Sequence, residues 1–223
     1  MTSVAAAAPA TGDRRARRRQ ETIEEIVTIA ETLMNTEGVN GMSLSEIARR
    51  LGVKPPSIYK YFDSIAAIYD ALFARGQQEH LAVMQAAMAD ADPGLPALMA
   101  GLDASGRWCV AHPGLTQLMF WRPVPGFEPT PEAMAPSIEM VQIQRRALAD
   151  AVANGQLGPG ATSDDAIYLT STLISGGISQ SLANEPNVAW GQGRFSSQLQ
   201  ALPAVLAAVY PPRHRRTRRQ GSP

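Results

Sequence analysis

Hydroxyls and cations crowd into GVKPPSIYKYF, residues 52–62, where Lys54, Ser57, Tyr59, Lys60 and Tyr61 fall within eight positions. Lysine neutralises phosphate, while serine, tyrosine and lysine hydrogen-bond to phosphate oxygens and to base edges. Nucleophilic or metal chemistry finds far less support. Cys109 lies within an apolar segment and reads as a small core residue. His80, His112 and His214 lack ligand spacing, so no metal is expected. Asp164 and Asp165 fit the negative first turn of a helix better than a catalytic pair. Neither a Gly-rich phosphate loop nor a G-x-S-x-G motif occurs. The expectation is therefore a protein that is not an enzyme and needs no cofactor.

Charge supports a charged partner. The formal net charge is zero, yet residues 1–60 carry 9 Lys+Arg against 7 Asp+Glu. Residues 61–210 carry 6 against 13, and residues 211–223 carry 5 against none. An acidic middle lies between two basic ends. A single cysteine rules out an intrachain disulfide and suits a reducing, cytoplasmic setting. No apolar run approaches the roughly 20 residues of a membrane span. Residues 1–13 read as a disordered tail, because the arginines follow Ala5–Ala8 instead of preceding them. Residues 211–223 read as a basic disordered tail.

Nearly all periodicity is helical, so the expected fold class is all-α. Ile23, Ile26, Val27, Ala30, Leu33 and Met34 form one stripe of a helix expected from about Arg15 to Thr36. Ser43 and Glu46 have capping-box spacing and open a short helix ending at Gly52. Pro55 and Pro56 then fit the first turn of a helix to about Phe62, where missing N–H groups matter little. A further helix follows from Ser64. Later expectations are helices from Asp92–Pro93 to Ala111, around Leu115–Trp121, from Thr130–Pro131 to Asn154, and from Ser163 to Asn184. A final stripe, Phe195 to Val209, is interrupted by Pro203.

A helix, a Gly-containing turn and a second short helix make a helix-turn-helix. The run SLSEIARRLGVKPPSIYKYF, residues 43–62, resembles the DNA-binding region of the TetR family of transcriptional regulators. The resemblance rests on Ile47–Ala48, Gly52–Val53, Ile58–Tyr59–x–Tyr61–Phe62 and Leu72–Phe73, and covers about residues 20–75. It implies a three-helix DNA-binding domain over residues 14–63. A larger helical ligand-binding and dimerisation domain would occupy residues 64–210. Carried over, the DNA contacts are Lys54, Pro55, Pro56, Ser57, Tyr59, Lys60 and Tyr61, with Ser43 near a phosphate. The chain departs from the family pattern at Pro55–Pro56, and at Ser64–Ile65–Ala66, where a lysine is usual. The arm Arg14, Arg15, Arg17, Arg18 and Arg19 is a further DNA candidate.

The resemblance also implies a ligand pocket. Trp108, Phe120, Trp121, Met140 and Tyr168 are the candidates, since methionine and aromatics suit an apolar cavity. Few central cations point to a neutral or cationic apolar effector. Ser171, Ser175, Gly176, Gly177 and Ser179 allow close helix approach, so the last two helices are the expected homodimer face. The expected function is a ligand-responsive regulator, read as a repressor leaving a palindromic double-stranded operator. The alternative is a helical small-molecule-binding or protein-interaction module without specific DNA binding.

Overall fold

The computed structural model describes residues 11–212, all helix, turn and loop, with no strand among them. The tail sequence before Thr11 and the arginines from Arg213 onward lie outside the described residues. No described helix is long and apolar enough to cross a membrane.

Helix α1, Thr11–Glu37, buries Ile26, Ala30, Leu33 and Met34 along the expected stripe. It begins earlier than Arg15, so the arginine run is its exposed first turns and not an extended arm. Helix α2, Leu44–Leu51, is capped by Ser43 Oγ, which accepts from Glu46 N at 3.2 Å. Only that half of the capping box forms. Glu46 turns its carboxylate outward to Arg49 and Arg50 at 2.6–3.0 Å. Gly52 then takes a left-handed φ of 74°, which a side chain would resist, and aims the chain into the next element.

That element, Pro55–Lys60, is a 3-10 turn and not the α-helix expected. Two of its residues are prolines without N–H groups, and six positions leave little room for i→i+4 bonding. Ser57 N donates to Lys54 O and Tyr61 N to Ile58 O, both at 2.8 Å.

Helix α3, Ile65–Ala89, opens at Ser64 and reaches far past the sequence-derived pattern. It enters two cores. Ile68, Leu72 and Phe73 are fully buried beneath α1 and α2, while Leu81 and Met84 pack with Met140 and Ile143. Around it stand α4, Leu95–Ala111; α5, Pro113–Trp121; and α6, Pro131–Ala153. The α4 cap is Gly94 rather than Asp92; its φ is 105°, and Gln156 Oε1 accepts from Leu95 N at 2.8 Å. Pro113 sits in the first turn of α5 instead of preceding it, and Asn35 Oδ1 accepts from Gly114 N at 3.0 Å.

Helix α7, Asp164–Asn184, follows Ser163 as expected, with Asp164 paired to Arg145 at 2.7 Å. The final stripe divides into a 3-10 stretch, Ser196–Ala201, and α8, Leu202–Val209. Pro203 stands in the first turn of α8, where it begins a helix instead of breaking one.

Gly106 of α4 lies directly against the Trp190 ring, which occupies the space a Cβ would need. Gly106→Ala is expected to destabilise the protein by about 1–3 kcal/mol, read from denaturant unfolding midpoints.

Candidate nucleic-acid interface and effector cleft

The 3-10 turn is fastened from beneath. Ile58 is fully buried and Phe62 nearly so, which leaves Lys54, Pro55, Pro56, Tyr59 and Lys60 exposed along one edge. Ser57 and Tyr61 are half-buried beside them, and Ser43 is exposed at the start of α2. Tyr59 is 55% exposed, unusual for a large aromatic ring in so short an element. Six of the eight sequence-derived candidates are thus exposed, and the other two, Ser57 and Tyr61, are half-buried.

Residues outside that set hold the edge in place. Arg19 Nη1 donates to Lys60 O at 2.9 Å, and its guanidinium lies 5.4 Å from the Tyr61 ring centre. The half-burial of Tyr61 therefore has a partner in α1. Arg15 is one turn ahead of Arg19 on the same helix and shares its face. Sequence reasoning placed Arg19 in a basic arm as a DNA candidate; nothing in the spacing of Arg19 and Tyr61, far apart along the chain, signalled the docking.

Three nearby cations are already paired with acids. Arg49 and Arg50 share Glu46, Arg50 also reaches Glu37 at 3.0 Å, and Arg75 joins Glu24 and Glu31. The hydrogen bond from Arg49, and then that from Arg50, holds the Glu46 carboxyl down at about 2. No salt bridge engages Lys54 or Lys60 among the described residues.

A second feature lies between α3, α5, α6 and α7, a cleft of about 250 Å³. Met84, Met119, Phe120, Met134, Met140 and Ile174 form its apolar wall. Of the five candidates, Phe120 and Met140 line it. Trp108 stands behind, its ring stacked 5.2 Å from His80 and 4.6 Å from His112. Trp121 is 45% exposed and bonds Ser179 at 3.3 Å, and Tyr168 is 66% exposed on the outer face of α7. Neither lines the cleft. An aromatic at any helical position looks alike in sequence, so its facing could not be read there.

Sequence reasoning also missed the polar lining. Gln77, His80 and Gln144 are more than nine-tenths buried. Gln77 Oε1, His80 Nδ1 and Gln144 Oε1 have no hydrogen-bond partner in the protein. The other His80 nitrogen, Nε2, lies 2.6 Å from Ser105 Oγ. Two glutamines and a histidine on inward stripes of α3 and α6 were the available signal. Burial pushes His80 down to about 4, and burial likewise raises its neighbour Cys109 to about 12. Both are neutral at pH 7, and the thiol is not an activated nucleophile. Among the described residues no cluster of His, Cys, Asp or Glu could hold a metal.

Comparison with known proteins agrees with this geometry. The family model for bacterial regulatory proteins of the tetR family matches residues 26–72, and that for the tetracyclin repressor-like C-terminal domain matches residues 98–189. The HTH-type transcriptional regulator YobS of Bacillus subtilis is 39% identical over 51 residues, 23% of this chain and 27% of YobS. The HTH-type regulator Rv1816 of Mycobacterium tuberculosis is 27% identical over 119 residues, 52% of this chain and 51% of that protein. The chain thus spans about a quarter and about half of these curated relatives.

Solved structures share the fold more widely. A Rhodococcus sp. RHA1 protein of unknown function superposes with TM-score 0.70 at 20% identity, covering 84% of this chain and 94% of that one. FadR of Bacillus subtilis, solved with stearoyl-CoA, gives 0.63 at 15% identity over 82% and 96%.

The low His80 value fixes a pH response. The unfolded imidazole binds its proton near 6.5 and the folded one near 4, so stability is complete above 6.5 and falls as pH drops towards 4. Melting temperature is expected to decline across that interval, and to decline less in His80→Gln.

Proposed function

This chain belongs to the TetR family of bacterial regulatory proteins, and from that membership we propose that it is a homodimeric, ligand-responsive DNA-binding transcriptional regulator acting as a repressor. The observation that carries this reading is the exposed edge of Lys54, Tyr59 and Lys60, held rigid by buried Ile58 and by Arg19. Two cations free of acidic partners among the described residues and one projecting phenol match what duplex DNA offers, phosphates along the backbone and acceptors in the groove. Pro55 and Pro56 add apolar surface for thymine methyls. Ser43, Ser57 and Tyr61 complete the contact set, and Arg15 adds a phosphate contact from α1. The DNA-binding unit spans residues 14–63, stabilised by the first turns of α3, and the remainder to 210 is the effector and dimer domain. The site of action is the cytoplasm, where the duplex is.

The dimer face is α7 with α8. Tyr168, Thr172, Gly176 and Gln180 recur every four residues and are all exposed. Leu173, Val205 and Val209 extend the patch. A Cβ on Gly176 would meet nothing within this chain, whereas Gly177 packs on Leu199. One glycine therefore serves internal packing, and the other is left for close approach by the partner's helix. Tyr168 belongs to this face. A two-fold dimer presents two 3-10 edges to half-sites about one helical turn apart or a multiple.

The effector occupies the α3–α5–α6–α7 cleft. FadR carries stearoyl-CoA on the same architecture, which supports an internal ligand site. The cleft here, at about 250 Å³, is at the low end for ligand sites and favours a much smaller molecule. Ligand bound there shifts α6 and α5 against α3, and coupling of this kind is typically about 1–3 kcal/mol. A ligand-binding module without DNA affinity is the alternative, and the unpaired lysines on the exposed edge weigh against it.

Duplexes selected from a random pool against the full chain provide the test. Lys60→Ala is expected to lower affinity and to reduce the slope of log affinity against log salt by about 1. Tyr59→Phe is expected to cost about 1 kcal/mol with an unchanged melting temperature. Selection yielding no enriched sequence, or both variants binding as the parent does, would remove this function.

A further inference from the structure

The cleft walls and the cleft polar groups make different demands on a ligand. Met84, Met119, Met134 and Met140 bring four thioethers around one space, with Phe120 beside them. Thioether sulfur packs favourably on aromatic rings, and methionine conforms to flat shapes. Opposite requirements come from Gln77 and His80 of α3 and Gln144 of α6. All three residues line the cleft, and each carries a buried polar atom with no partner in the protein. Leaving such atoms buried and unpaired is costly, and three around one cleft are too many for a site meant only for hydrocarbon.

On the reading that this cleft is the effector site, we infer that its ligand is a compact, uncharged phenolic compound, an aromatic ring system bearing at least two hydroxyl groups. A hydroxyl both donates and accepts. It therefore satisfies an amide in either orientation and His80 Nδ1 in either tautomer. Charge is disfavoured. The lining holds one arginine or lysine, Arg122, which is exposed with Met134 Sδ 3.6 Å away, and no acid. His80, flanked by Ser105, Cys109 and Trp108, stays neutral. A carboxylate driven to the depth of Gln77 and Gln144 would find no cation. Size excludes a long acyl chain with its carrier. Two or three fused or linked rings fill the available space.

The test uses the full chain and an isosteric pair, naphthalene-2,7-diol and 2,7-dimethylnaphthalene, titrated calorimetrically. The diol is expected to bind about tenfold tighter or better. In the double variant Gln77→Met, Gln144→Met that preference should vanish. Its unliganded melting temperature should equal or exceed the parent's, because two buried orphaned amides are gone. Equal affinity for the two compounds in the parent would overturn the inference. So would binding of neither, a preference that survives the double variant, or a lower melting temperature in that variant. Affinity for the selected duplex, measured in the same samples without ligand, separates the two readings. Its absence ends the regulator assignment while the diol preference stands. Its presence with equal binding of both compounds ends only the ligand chemistry.

Discussion

Helix α3 has to be buried at both ends by different neighbours. Its first turns complete the core under the helix-turn-helix through Ile68, Leu72 and Phe73. Its later turns carry Gln77, His80 and Met84 into the cleft. Between them Arg75 reaches Glu24 and Glu31 of α1, and Asp70 accepts from Thr130 N and Oγ1 at 2.7 and 2.9 Å, fastening the start of α6. Sharp helix kinks most often arise at proline, and the 25-residue α3 has none. Displacement at the cleft therefore has a stiff path towards the 3-10 edge.

A second path runs through α5. Its first turn is capped by Asn35 of α1, and its last turn places Met119 and Phe120 in the cleft wall. Both routes end on α1, whose Arg19 grips the Lys60 carbonyl and the Tyr61 ring. The 3-10 edge is too short to fold by itself, since a six-residue 3-10 turn has few internal bonds. Its orientation is borrowed from α1 and α3. The same economy appears in charge. Arg49, Arg50 and Arg75 pair with intramolecular acids, whereas among the described residues Lys54 and Lys60 join no salt bridge.

Much of this was legible in residue order. Apolar spacing located the helices of the first 75 residues, and the double proline with its hydroxyl-rich sequel marked an exposed turn. Proline was harder to place than to notice. Pro113 and Pro203 both start helices here, because a first-turn proline and a breaking proline look identical until the preceding turn is known. The 3-10 character of residues 55–60 depended on bonds that no periodicity reveals in six positions. In the cleft, Phe120 and Met140 face inward as their types suggested, whereas Trp121 and Tyr168 face out. The polar trio escaped notice because glutamine and histidine are ordinarily surface residues, and only tertiary burial makes them conspicuous.

Native-state hydrogen exchange along α3 tests the shared-helix account most directly. If one continuous helix ties the cleft to the 3-10 edge, amides on both sides of Gly76 should open together, converging on one free energy and one denaturant dependence. Two separate openings, with residues 65–75 exchanging independently of 77–89, would contradict it.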